Sequence, residues 1–284
     1  MPPLSKERLD KLLVERGLCA SRTQAQALIM EGRVTVAGNL VSKPGTLIDT
    51  ALSEIEIKEG LRYVSRGGLK LEKALNVFHI KVQDRFCIDV GASTGGFTDC
   101  LLQNGARHVA AVDVGYGQLD WRLRNDARVQ VLEKTHIAHL SAEQLTTVSS
   151  LGVVDTSFIS LRKVLPPLAA LLDSEADIIA LLKPQFEARD YAPPKSFKGV
   201  VRQPEAHQRI LEGVLHALEA LLTDWSCIAL DVSPITGPKG NIEFLLHYQR
   251  GVNTQPALSL EARSQRIREI IATGHAMQKP AQDE

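Results

Sequence analysis

The sequence predicts an α/β protein, a mostly parallel Rossmann-like sheet with helices on both faces, preceded by a small α+β module. Beyond about residue 60, apolar runs near 86–90, 108–113, 128–132, 151–155, 177–182, 226–232 and 243–248 alternate with helical patterns, as repeated βαβ units require. The first run, Phe86-Cys87-Ile88-Asp89-Val90, leads directly into Gly91-Ala92-Ser93-Thr94-Gly95-Gly96-Phe97. Such a glycine turn lets backbone pass close to a ligand with no Cβ in the way. The second run ends on Asp113, 22 positions beyond Gly91, where a βαβ unit presents a carboxylate to ribose hydroxyls.

Taken in order, the elements begin with an amphipathic helix over residues 6–16, with Leu9, Leu12 and Leu13 on one side, and a second helix over 22–31 that Ser21 caps. Short strands follow at 34–36 and 40–41, joined by Ala37-Gly38-Asn39, and residues 47–57 supply another. The expected boundaries are a module over 1–60, a linker over 61–67 near Gly60, a large domain over 68–255, and a tail over 256–284 holding a helix at 258–272. Lys70 begins the helix before the first sheet strand. Residues 186–201, rich in Pro, Lys and Gly, read as a surface loop over the site, followed by a long helix from near Pro204.

Composition narrows the class only broadly. The 284 residues are 44% hydrophobic and formally neutral, enough for a large core. The charge is uneven: residues 1–48 carry seven Lys/Arg against four Asp/Glu, whereas 49–59 carry one Lys against four acids. Cys19, Cys87, Cys100 and Cys227 are widely spaced and read as reduced, mostly core thiols rather than zinc ligands or a disulfide framework. The histidines lack any metal-binding spacing, so no metal is expected. Charges near the start argue against a signal peptide, and no run reaches the ~18 apolar residues of a membrane span, so a cytoplasmic protein is expected. With 5% aromatics a broad base-stacking platform is not foreseen; Tyr116 and Phe197 could stack on bases, while Trp121 reads as core.

The glycine turn does not follow G-x-G-x-x-G and has no P-loop lysine, which weakens dinucleotide and triphosphate readings. S-adenosylmethionine remains as the common occupant. The bland alternative is a turn whose glycines only let helix meet strand. Ser157 does not lie in a G-x-S-x-G turn, so a hydrolase is not indicated.

Several motifs carry a resemblance. Arg8-Leu9-Asp10, Leu13-Val14, Arg16-Gly17, Ser21-Arg22, Ala25, Gly32-Arg33-Val34, Gly38 and Lys43-Pro44-Gly45 resemble the alpha-L RNA-binding module of a ribosomal small-subunit protein and of pseudouridine synthases. Ser65-Arg66-Gly67-Gly68-Leu69-Lys70-Leu71, the turn from Asp89 to Phe97, Asp155-Thr156-Ser157-Phe158-Ile159-Ser160-Leu161, Leu182-Lys183-Pro184-Gln185-Phe186-Glu187, Lys198-Gly199-Val200-Val201 and Ser233-Pro234-Ile235 with Gly240-Asn241-Ile242-Glu243-Phe244-Leu245 together resemble the TlyA family, also labelled haemolysin A. The similarity runs over nearly the whole chain in order. It implies a class I methyltransferase sheet of the FtsJ type, S-adenosylmethionine as cofactor, and methyl transfer to a cytidine 2′-hydroxyl in ribosomal RNA, with ribosomal RNA or subunits as partners. The one visible departure is Thr135-His136-Ile137-Ala138, where Thr-Asn-x-Arg is expected.

The resemblance also implies the site: Lys70, Asp155, Lys183 and Glu243 as a catalytic Lys-Asp-Lys-Glu set, and Asp89, Gly91, Ser93, Thr94, Gly95, Gly96, Phe97 and Asp113 around the cofactor. A ribose hydroxyl is a poor nucleophile and needs its proton removed. Lys183 is expected to be the base, Asp155 to hold it, and Lys70 and Glu243 to orient the ribose. Burial and a second ammonium favour the neutral amine, while paired carboxylates oppose it. Arg8 and Arg22 at helix starts and Lys43 in the β region are expected to face RNA phosphates. Two other functions are set against this reading: a pore-forming haemolysin, whose only sequence support is the amphipathic 258–272 segment, and a catalytically silent RNA-binding protein, which would need a broken tetrad or pocket.

Overall fold

The computed structural model describes residues 6–30, 33–50, 54–57, 62–191, 199–251 and 258–278. Phe197, Gly60, Gly32 and Lys198 lie outside those residues. The chain forms two compact units, Met1–Leu61 and Arg62–Glu284.

In the first unit, β1 (Lys6–Arg8) precedes α1 (Leu9–Glu15) and α2 (Arg22–Met30), followed by β2 (Val34–Val36), β3 (Asn39–Leu40), β4 (Leu47–Asp49) and β5 (Ile55–Ile57). Leu9, Leu13, Ala25, Ile29 and Val34 are fully buried and form its core. The expected 6–16 helix is corrected at its start. Residues 6–8 pair antiparallel with β4, which supplies backbone partners that one helical turn at a chain start lacks. The single strand expected over 47–57 is two strands serving different sheets, since β4 pairs with β1 and β5 with β2. Ser21 caps α2 through its Oγ, which accepts the Gln24 N–H at 3.2 Å.

The second unit contains α3 (Gly67–Val77), β6 (Phe86–Val90), α4 (Gly96–Gln103), β7 (His108–Val112), α5 (Trp121–Arg124), β8 (Val129–Leu132), β9 (Ser149–Val154), α6 (Leu161–Ala170), β10 (Leu172–Leu182), α7 (Pro184–Tyr191), α8 (Pro204–Leu221), β11 (Trp225–Val232), β12 (Phe244–Arg250) and α9 (Leu260–Gln278). Its seven-stranded sheet runs β11-β12-β10-β9-β6-β7-β8. Strands β10, β9, β6, β7 and β8 are mutually parallel, and β12 is antiparallel to both its neighbours. The chain leaves β6 for β7 on one side and later returns to β9 on the other. The carboxyl ends of β6 and β9 therefore flank a topological switch point, where open α/β sheets bind ligands. Strand alternation feeds a core on each face: Ile88 and Val90 join Leu165, Leu211, Phe244 and Ile267, whereas Cys87 joins Leu71, Cys100 and Leu101.

Four expectations change here. From Arg62 onward the supposed linker belongs to the second unit: Tyr63 is buried in its core, and the Val64 N–H donates to Asp99 at 2.8 Å. The supposed loop from residue 186 begins as α7, because the buried Glu187 accepts the Ser160 hydroxyl and the Leu161 N–H, both at 2.7 Å, and ties α7 to the start of α6. The C-terminal helix is not a separate tail. Ile267, Ile270 and Ile271 bury its apolar face in the main core, which removes the sequence support for a membrane-active segment, and among the described residues no helix is long and apolar enough to cross a membrane. Trp121, expected in the core, is 71% exposed, as is Tyr116 at 70%.

Candidate active site

Lys70, Asp155, Lys183 and Glu243 meet in one cavity of about 410 Å³. They arrive from four elements. Asp155 and Lys183 follow β9 and β10 directly, so parallel neighbours deliver them side by side. Glu243 precedes β12, which runs back to the same sheet edge, and Lys70 projects from α3. Lys183 Nζ lies 2.7 Å from Asp155 Oδ1 and donates to Ser157 Oγ at 3.0 Å. Lys70 Nζ lies 2.6 Å from Glu243 Oε2 and 3.8 Å from Asp155 Oδ2. Both ammonium groups and Glu243 are buried. Two cations and two anions cancel, as charges withdrawn from water must. Glu243 Oε1 nevertheless has no hydrogen-bond partner, and it presses against bare backbone, since a Cβ on Gly237 would sit 2.2 Å from it.

A second cavity of about 470 Å³ adjoins the first, with Gly91, Ser93, Asp155 and Ser157 lining both. Gly91 has φ +85°, and a Cβ there would come within 3.0 Å of the Asp155 carbonyl. Only glycine suits a positive φ where two chain segments cross. Asp113 lies at the carboxyl end of β7; its Oδ2 accepts the Ser93 N–H at 2.8 Å and its Oδ1 the Gly115 N–H at 2.6 Å. Each carboxylate oxygen has two lone pairs, which leaves acceptor capacity toward the cavity. His136 also lines this cavity with Thr135 and Ile137, its Nδ1 accepting the Ala138 N–H at 3.1 Å. Phe158 stands 90% exposed at this cavity, its ring 4.9 Å from that of Phe186.

Of the residues expected around the cofactor, Gly91, Ser93, Thr94, Gly96, Phe97 and Asp113 line one cavity or both, whereas Asp89 and Gly95 line neither. Gly95 serves the turn itself: it enters α4 at φ +96°, and a Cβ would strike Leu123 at 2.2 Å. Asp89 shares the side of β6 that carries Cys87, so it points at α4 and accepts the Thr98 hydroxyl at 2.6 Å. Burial raises its carboxyl to about 7. A carboxyl raised above its unfolded value of about 3.9 costs nothing below about pH 4, costs about 1.4 kcal/mol more per pH unit up to about pH 7, and costs a constant amount above that. The Asp89→Asn variant, which cannot ionise, should therefore gain stability relative to the parent as pH rises from 5 to 8. Denaturant titration across that range checks this; parallel curves would exclude Asp89 as the titrating group.

Ser65, Arg66 and Gly67, placed in a linker by sequence, line the first cavity, as do Ile235, Thr236 and Gly237. The signal for the first three was present in the motif from Ser65 to Leu71. Gly96 explains their approach, because a Cβ there would meet Ser65 Oγ at 2.3 Å. Among the described residues no group of His, Cys, Asp and Glu is arranged to hold a metal ion.

In the first unit, the fully buried Asp10 gathers Arg8 at 3.0 Å, Arg22 at 2.9 Å and Gln26 at 2.9 Å. Hydrogen bonds from Arg8 foremost hold its carboxyl well below the usual range. The Asp10 N–H donates to the Pro44 carbonyl at 3.1 Å, which seats the turn bearing the exposed Lys43 beside the helix start. The guanidinium groups of Arg8 and Arg22 are thus neighbours on Asp10 and about half exposed, with exposed Lys43 on the adjoining turn.

A parallel sheet with a switch-point glycine turn, an acid after the second strand and an adjoining cavity of two lysines and two carboxylates defines an S-adenosylmethionine-dependent methyltransferase of the FtsJ-like class. Residues 63–250 match the family described as FtsJ-like methyltransferase, and residues 7–51 match the S4 domain. The chain is 42% identical over 271 residues to the 16S/23S rRNA (cytidine-2′-O)-methyltransferase TlyA of Mycobacterium tuberculosis, covering 95% of this chain and 98% of that one. It is 50% identical over 243 residues, 85% of each chain, to a Bacillus subtilis protein named "Putative rRNA methyltransferase YqxC". A solved structure described as "Putative hemolysin from Streptococcus thermophilus" matches with a TM-score of 0.71 and 43% identity, over 96% of this chain and 97% of that one. The chain belongs to the TlyA family of FtsJ-like methyltransferases.

Proposed function

We propose that this protein transfers a methyl group from S-adenosylmethionine to the 2′-hydroxyl of a cytidine in ribosomal RNA, acting in the cytoplasm on ribosomal subunits or their RNA. The observation that carries this reading is the paired lysine and carboxylate cluster beside the glycine turn, a charge set suited to taking a proton from an alcohol. The name of the Mycobacterium relative supplies the nucleotide and the RNA class. The cofactor, held by Gly91, Ser93 and Asp113, supplies a methyl already activated on a sulfonium. The protein's own task is then deprotonation and alignment. Lys183 accepts the hydroxyl proton, so that the oxygen could take the methyl that the bound cofactor would supply. Asp155 holds the resulting ammonium. Lys70 and Glu243 orient the ribose.

A ribosomal RNA fragment with a single 2′-deoxycytidine at the target should accept no methyl, whereas the ribo form should be methylated; transfer to the deoxy form would move the acceptor to the base. Asp113→Ala should weaken S-adenosylmethionine binding by about 2 kcal/mol, roughly 30-fold, through loss of a charge-assisted acceptor. Calorimetry checks this, and NAD should not compete. Unchanged affinity, or tight NAD binding, would assign the second cavity to another ligand.

A further inference from the structure

Residues 233–243 join β11 to β12 and lend Ile235, Thr236, Gly237 and Glu243 to the cavity that also holds Lys70, Asp155 and Lys183. The loop is closed at its root by the Ser233 N–H, which donates to the Glu243 carbonyl at 2.8 Å, and higher up by the Gly237 N–H, which donates to the Asn241 carbonyl at 2.8 Å. Behind the root lies α9, outside the stretch that matches the methyltransferase family. A Cβ on Gly274 would sit 2.6 Å from Ile242 Cγ2 and 3.2 Å from Val232 Cγ2, so α9 rests on the residues preceding Glu243 and Ser233. Gln278 Nε2 donates to the Gly240 carbonyl. His275 meets the buried His207 of α8 at 3.2 Å, and the His207 ring stands edge-on to Phe244, the residue after Glu243, at 5.6 Å. Both chain neighbours of Glu243 are therefore braced, directly or through one ring, from the last turns of α9.

We propose that α9 positions the active site from behind, with Gly274 as the positioning residue: its missing side chain lets the helix seat Ile242, and Ile242 sets where Glu243 meets Lys70. This inference rests on the methyltransferase reading of the cavity. Packed interiors transmit a shift rather than absorb it, and a displacement of about 1 Å in a reacting geometry lowers turnover by as much as about 100-fold.

The test is Gly274→Ala in the full chain. Turnover on ribosomal RNA should fall about tenfold or more while S-adenosylmethionine affinity stays within about twofold, and a crystal structure of the variant should show the 2.6 Å contact of Lys70 with Glu243 opened beyond hydrogen-bond range. Ile267→Val, two turns earlier on the same buried face, serves as a stability control and should leave turnover within about twofold at a matched loss of Tm. Should Gly274→Ala not fold, Gln278→Ala removes only the bond to Gly240 and should lower turnover about threefold at unchanged Tm. Parent-like turnover in the variant that folds, an unchanged contact of Lys70 with Glu243, or loss of turnover in Ile267→Val in step with stability would each overturn the inference. Failure of the parent protein to methylate ribosomal RNA would instead overturn the functional reading, and the crystallographic comparison would still decide the positioning role.

Discussion

Lys183→Ala should lower kcat by about 10³-fold while S-adenosylmethionine affinity stays within about threefold, because a base acts mainly in the transition state. Lys183 is 8% exposed, its Nζ held between Asp155 at 2.7 Å and the Ser157 hydroxyl at 3.0 Å. The other lysine of the cavity lies against Glu243, 3.8 Å from Asp155. Lys183→Arg separates proton transfer from simple charge. A guanidinium keeps the positive charge beside Asp155 but cannot give up its proton, so the arginine variant should be nearly as slow as the alanine one. Single-turnover methylation with calorimetry of cofactor binding reads both quantities. An arginine variant within about tenfold of the parent would leave Lys183 an electrostatic role only.

Removing residues 1–61 should leave cofactor binding within about twofold and lower ribosomal RNA affinity by at least about 100-fold at physiological salt. Each unit has its own buried core, and the residues lining both cavities all belong to the second. The first unit holds Arg8 and Arg22 on Asp10, with Lys43 on the turn that the Asp10 N–H binds, and each cation that neutralises a phosphate adds about 0.7–0.9 to the slope of log affinity against log salt. The truncated protein should thus show a slope smaller by roughly 2–3. Binding titrations at several salt concentrations measure this. Full-rate methylation by the truncated protein at physiological salt would show that the first unit is not the RNA grip.

The parallel sheet and the glycine turn were legible in the chain because both are local. Alternating apolar runs announce strands, and glycines between a strand and a helix announce a turn that only glycine permits, as the φ of +85° at Gly91 and +96° at Gly95 bear out. Asp155 and Lys183 were picked out by the resemblance of their motifs to the TlyA family; each closes or follows an apolar run, and parallel strands deliver their carboxyl ends to one edge. Where competing partners are distant in sequence, local pattern failed. The 6–8 segment reads as helix until β4, some forty residues on, offers it a strand partner, and residues 62–67 read as a linker until Gly96 admits Ser65 to the cavity wall. Trp121 shows the opposite error, since hydrophobic character says what a side chain can bury but not whether a partner surface arrives.

The sequence by itself determined the class of fold, because strand period and turn chemistry are properties of neighbouring residues, and through the resemblance of its motifs it pointed to the charged residues. Only the tertiary structure decided that Lys70 pairs with Glu243 across 173 positions, that Asp89 turns away from the cavity toward Thr98, and that a C-terminal helix which reads as a tail is built into the core behind Glu243. Those outcomes depend on which surfaces exclude water together, and on how closely two backbones can approach, which a linear pattern does not encode.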